Sequence, residues 1–162
     1  HRLKVNAAEL RVKGYGLLVI GLLMLLTSCS TDTVYSQFVP ISSGEWQVDS
    51  AMVFDYTIDD AQPDYRMVVY VRHTERYPYQ NMWLFIDNGA RRDTIEFYLA
   101  DDRGQWLGNR HHGFIEMPVL LEDNYHFPDT GSYHLSIQHG MRDSLLRGVM
   151  DVGVEISRNG QE

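Results

Sequence analysis

Beyond Gly44 the chain alternates apolar and polar residues with a period of two, the signature of strands buried on one face. Met52, Phe54, Tyr56 and Ile58 are separated by Val53, Asp55 and Thr57. Met67, Val69 and Val71 alternate with Arg66, Val68, Tyr70 and Arg72. Ile95, Phe97 and Leu99 alternate with Thr94, Glu96 and Tyr98, and Tyr133, Leu135 and Ile137 with His134, Ser136 and Gln138. Met82 to Ile86 is apolar at every position, which reads as a central strand with Trp83 in the core. Ile115, Met117, Val119 and Leu121 suggest another strand, with Pro118 demoting it to an edge or a bulge. Met150, Val152, Val154 and Ile156 form the last.

Turn signals separate these runs: Asp59-Asp60-Ala61-Gln62-Pro63, Asp87-Asn88-Gly89, Asp101-Asp102-Arg103-Gly104 and Pro128-Asp129-Thr130-Gly131. No segment sustains a 3.6-residue period. The expected fold is therefore all-β, an antiparallel β-sandwich (Ig-like or jelly-roll-like) of about seven to eight strands. A closed barrel is the alternative. A lipid-facing barrel is disfavoured, because too many outward positions carry charge.

The segment before the alternation has a different character. Arg2, Lys4, Arg11 and Lys13 stand against a single acid, Glu9, and precede a ten-residue apolar stretch, Leu17 to Leu26. A membrane-spanning helix needs roughly 20 such residues, so this length fits an export signal. The stretch ends in Leu26-Thr27-Ser28-Cys29, a lipobox: small residues before the cut, then the thiol that takes the lipid. Residues 1–28 thus read as a lipoprotein signal peptide. Residues 29–43 read as a lipidated tether, 44–158 as the sandwich domain and 159–162 as a tail. Cys29 is the only cysteine, so no intrachain disulfide forms, and the expected modification is a diacylglyceryl group plus an N-acyl chain. One acyl chain anchors only marginally; two or three make the anchor effectively permanent. Ser30 rather than Asp after Cys29 favours the outer membrane under the enterobacterial sorting rule, with the domain on the periplasmic side.

Cleavage would leave 134 residues, enough for one domain with a real core. The leader holds four of the 14 basic residues and one of the 22 acidic ones, leaving ten against 21, a charge of about −11. All ten remaining bases are Arg. This balance argues against nucleic acid as a partner and against electrostatic adhesion to anionic lipid.

The chemistry-bearing patterns are weak. Asp129-Thr130-Gly131 spells the aspartic-protease triplet, but that reaction needs two carboxylates sharing a proton, so a turn is the better reading. Histidines 73, 111, 112, 126, 134 and 139 show no metal-ligand spacing, so no metal site is expected. Asp101-Asp102-Arg103-Gly104 places an Arg where a calcium loop needs an oxygen. No Gly-x-Ser-x-Gly elbow, phosphate loop or dinucleotide fingerprint occurs. A non-enzymatic protein without a cofactor is expected.

Several strings resemble the gliding motility-associated lipoproteins of Bacteroidetes, the GldH family. They are Arg72 through Phe85, notably Tyr77-Pro78-Tyr79-Gln80-Asn81-Met82-Trp83, then Ala100 through Gly108, Phe127 through Tyr133, Met141-Arg142-Asp143 and Gly148 through Val154. The ordered set covers essentially the whole mature chain. The resemblance implies an envelope lipoprotein supporting gliding motility or the linked type IX secretion machinery, with other envelope or motility proteins as partners. It implies no catalytic residues.

Two readings of the exposed chemistry follow. A contact-making lipoprotein predicts an exposed aromatic patch; a glycan-binding or glycan-processing one predicts a groove where Trp106 or the Tyr77/Tyr79 pair faces solvent beside carboxylates. The expected partner surface joins the turn carrying Tyr77, Tyr79 and Asn81 to the Gly104–Gly108 loop carrying Trp106.

Overall fold

The computed structural model describes residues 32–160. The expected export signal, Cys29 and the start of the expected tether lie outside them. In chain order the strands are β1 (Thr33–Pro40), β2 (Glu45–Gln47), β3 (Met52–Ile58), β4 (Tyr65–His73), β5 (Asn81–Asp87), β6 (Arg92–Tyr98), β7 (Asn109–His111), β8 (Phe114–Tyr125), β9 (Gly131–His139), β10 (Leu145–Arg147) and β11 (Val149–Arg158). A three-residue 3-10 turn, Ser42–Gly44, lies between β1 and β2. All pairings are antiparallel. One sheet runs β1-β11-β4-β8-β7, the other β3-β9-β5-β6, and β10 and β2 form a small ribbon. The fold is all-β, in the sandwich-like arrangement the alternation predicts.

The core is what the period-two pattern selects. β3 buries Met52, Phe54, Tyr56 and Ile58 and exposes every residue between them. β4 buries Tyr65, Met67, Val69 and Val71; β5 buries Met82, Leu84 and Ile86; β11 buries Val152, Val154 and Ile156. These inner faces form one continuous cluster, with Phe127 at the centre of an aromatic group that includes Tyr56, Tyr65, Tyr125 and Tyr133.

The seven expected strands are all present; the other four are β1, β2, β7 and β10. Three of those are three residues long, too short to display a period. The fourth, β1, falls inside the segment expected to be a tether. It pairs along its length with β11, from Thr33 opposite Ser157 to Pro40 opposite Asp151. Its alternation is masked because its apolar residues go to both faces. Tyr35 and Val39 pack on the core, whereas Phe38 covers Gly153 on the outer face. Gly153 is needed there, since an added Cβ would collide with the Phe38 ring. Arg72 lies over the same ring, 3.7 Å from its centroid.

One lateral side of the sandwich is closed: Tyr35 of β1 meets Tyr56 of β3 at 5.5 Å between ring centroids. On the other side, β7 covers β8 only from Phe114 to Glu116, so Pro118 stands where the outer edge of β8 is free. β6 borders the opposite sheet on that side, and its outer edge pairs with no strand among the described residues.

Candidate functional site

The four residues of the expected partner surface are split between interior and surface. Tyr77 is buried, and its hydroxyl donates to the carbonyl of Asn81 at 2.7 Å. Burial first, then the nearby Tyr79 and Asp143, push its pKa well above that of free tyrosine. Trp106 is half-buried and sets its ring against His73 at 4.8 Å, fixed by a bridge between Ala100 and Trp106. Tyr79 does face solvent, 37% exposed, and its hydroxyl donates to Asp143 Oδ1 at 2.6 Å. Asn81 is half-buried and donates from Nδ2 to Glu96 Oε1 at 2.7 Å on the neighbouring strand. Tyr77 and Trp106 are thus corner and core-packing residues, and Tyr79 and Asn81 form the accessible part.

Trp83 is the residue that sequence reasoning misplaced. A run of five apolar residues gives no period, so the side each residue takes is undetermined until the register is known. In β5 the inward positions are Met82, Leu84 and Ile86, so Trp83 points outward and is 38% exposed. Its neighbour Gly140 makes room for it: an added Cβ there would sit 3.0 Å from Phe85 and 3.2 Å from Trp83. The Gly140 N–H donates to the Trp83 carbonyl at 2.7 Å, and the Trp83 N–H to the Met141 sulfur at 3.4 Å. Tyr79, Asn81, Trp83, Gly140, Met141, Arg142 and Asp143 therefore line one shallow groove, with the exposed Tyr98 opposite Asn81 on β6.

Beneath the groove, His139 fixes its wall. His139 is fully buried, with Nε2 3.0 Å from the Trp46 carbonyl and Nδ1 accepting the Met141 N–H at 3.2 Å. This wiring requires the neutral ring with its proton on Nε2. Burial lowers its pKa, more than the Trp46 carbonyl and Asp143 raise it.

The remaining motifs resolve as turns. Asp101 spends its carboxylate on the backbone N–H groups of Arg103 and Gln105, at 2.9 and 2.8 Å. Asp129 offers its carbonyl to the Tyr133 hydroxyl, and Gly131 opens β9 at φ 142°. His111 stacks on Phe114 at 4.8 Å. Among the described residues no cluster of three metal-ligating groups occurs. The glycan reading keeps only Tyr79 and its Asp143 partner, because Tyr77 and Trp106 turn inward.

The profile of the GldH lipoprotein family matches residues 33–156. The chain belongs to the GldH lipoprotein family. The match begins at the first residue of β1, so the strand hidden in the expected tether is part of the family domain. Among relatives, the gliding motility lipoprotein GldH of Flavobacterium johnsoniae is 26% identical over 92% of this chain and 99% of its own length. A gliding motility lipoprotein GldH homolog of Christiangramia forsetii is 29% identical over 85% and 91%. Of solved structures, an infectious bursal disease virus VP2 subviral particle chain gives a TM-score of 0.31 at 15% identity, over 77% of this chain and 31% of that one. Among the described residues no helix is long and apolar enough to cross a membrane.

Proposed function

We propose that this GldH-family chain is a lipid-anchored envelope protein. It supports gliding motility, or the type IX secretion machinery linked to it, through contacts of its sandwich with other envelope proteins and without catalysis. Cys29 carries the diacylglyceryl and N-acyl lipid, and the outer membrane, periplasmic side, is its place. The relatives' names support the motility role.

The observation that carries the contact reading is the groove around Trp83. Its exposed Trp83 and Tyr79, with Met141 and Arg142 beside them, are the residue types enriched where protein partners dock. Tyr79 is held through its hydroxyl by Asp143, and the backbone under Trp83 is fixed by Gly140 and Met141, so little backbone order is lost on contact. The test is capture of the tagged lipoprotein from its own envelope, comparing wild type with Tyr79→Ser and Trp83→Ser. Loss of a partner from both folded variants supports the reading. Unchanged capture in both contradicts it. Sugar-dependent quenching of tryptophan fluorescence in wild type but not Trp83→Ser would move the groove to the glycan reading. For the anchor, Cys29→Ser is expected to abolish palmitate labelling and release the protein from the membrane fraction.

A further inference from the structure

We propose that β6 is a self-association edge, on which a second copy of this chain adds its own β6 antiparallel about a two-fold axis at Ile95. The inference is independent of the motility reading.

It begins with where the backbone groups of β6 point. The Asn88 N–H donates to the Arg91 carbonyl, and the Leu99 N–H to the Gln80 carbonyl. Hydrogen-bonded pairs alternate along an antiparallel ladder. Between those two ends the bonded pairs are therefore Ile86 with Asp93, Leu84 with Ile95 and Met82 with Phe97. Asp93, Ile95 and Phe97 spend their N–H and C=O groups on β5. Arg92, Thr94, Glu96 and Tyr98 aim theirs away from β5, and among the described residues none of these four bonds another backbone group on that side.

Natural sheets blunt such edges with prolines, bulges or cover. The other edges here show those devices. β8 carries Pro118 and two register irregularities along its free stretch. β1 and β3 lie against each other on the closed side. β6 has seven residues in unbroken register with β5, no proline and no glycine. Its one inward charge, Asp93, is already paired with Arg91 at 2.7 Å. Ile95 and Phe97 on its inner face are only partly covered.

The sequence of β6 is complementary to itself. With the axis at Ile95, Arg92 pairs with Tyr98 of the second copy and Thr94 with Glu96. Both pairs occur twice, so all four free residues on each strand are used, and any other two-fold register leaves some unpaired. No like charges stand opposite one another. Arg92 meets a tyrosine ring, with Glu96 of the second copy on the diagonal. On the inner face, Ile95 meets Ile95 and Asp93 meets Phe97. The interface is isologous, and joins two four-stranded sheets into one of eight. Its outer face sets the Trp83 grooves of both copies on one surface.

The test uses the full chain in its own envelope. Facing residues of a non-hydrogen-bonded pair sit close enough for a disulfide. Ile95→Cys is therefore expected to give a disulfide-linked dimer under mild oxidation, absent from wild type, whose only cysteine, Cys29, has its sulfur taken up by the proposed lipid. Asp93→Cys on the same face and Thr94→Cys on the outer face are expected to give none, because neither faces itself. Asp93→Cys co-expressed with Phe97→Cys restores the band. Absence of dimer from folded Ile95→Cys overturns the proposal, and so does stronger cross-linking through Thr94→Cys. Amide exchange on wild type provides a readout without substitution. Thr94 and Glu96 amides as slow as those of Ile95 and Phe97 support the paired edge, and rapid exchange of the first two alone overturns it.

Discussion

Gly153→Ala isolates the strand that sequence patterning hid. Gly153 sits in β11 opposite Phe38 of β1 on one side and Tyr70 of β4 on the other. A methyl group there meets the Phe38 ring, which must leave its place under Arg72. Overpacking at such a site costs about 1–3 kcal/mol. The half-exposed Arg72–Phe38 contact adds about 0.5–1 kcal/mol, and alanine's advantage over glycine within a strand offsets about 0.5–1 kcal/mol. The net expectation is a loss of about 1–3 kcal/mol, or a fall in Tm of roughly 3–10 °C for a domain of this size. Urea unfolding followed by tryptophan fluorescence measures it. Phe38→Ala removes the obstacle, so the double variant should be no less stable than Phe38→Ala alone, with a coupling of about 1 kcal/mol or more. Costs that add to within about 0.5 kcal/mol would refute the seating of Phe38 on Gly153, and with it the docking of β1.

Acidification tests the buried histidines. Burial lowers the pKa of His73 and His139 below the ordinary 6.5, so the folded state binds fewer protons than the unfolded one. Their contribution is fully present above pH 6.5 and is lost as pH falls below it. Asp151 works in the opposite sense, its pKa raised mainly by burial, so its effect on acidification is stabilising and sets in at lower pH, nearer the carboxylate range. Urea midpoints are therefore expected to fall between about pH 6.5 and pH 5, and His73→Phe should flatten that slope; a pH-independent midpoint would contradict the buried neutral rings. Tyr77→Ala should cost about 3–5 kcal/mol, as for other large buried rings, whereas Trp83→Ser should shift stability by less than about 1 kcal/mol, both read by the same unfolding curves. A Trp83→Ser variant as unstable as Tyr77→Ala would return Trp83 to the core.

The legible parts of the fold are those where one face is dry and the other wet. β6 and β9 announce themselves because Ile95 and Leu135 alternate with polar neighbours, and β3 and β4 because the flanking Asp55, Thr57, Arg66 and Arg72 mark the wet face despite Val53 and Val68. β1 does not, because Phe38 covers a glycine on the outer face while Tyr35 and Val39 serve the core. The candidate site was half legible for the same reason. Tyr79 lies in a turn and Asn81 opens β5 directly after it, and turn composition points to the surface. Trp83 was lost because Met82 through Ile86 has no period, so only the pairing with β6 and β9 fixes which side it takes. Trp106 follows a Gly-containing turn and looked exposed, yet the bridge to Ala100 folds it back onto His73. Gly140-Met141 lies beside Trp83 in space, but nothing in the sequence links positions so far apart.

Contact through the Trp83 groove is the claim on which the functional account stands. The most direct measurement is quantitative mass spectrometry of what co-purifies with the tagged chain from its own envelope, wild type against Trp83→Ser, with unfolding curves confirming that both are folded. The account predicts at least one envelope protein captured by wild type and depleted on the order of tenfold or more by the substitution, as for loss of a hot-spot ring. An unchanged set of captured proteins from a folded Trp83→Ser variant would contradict it.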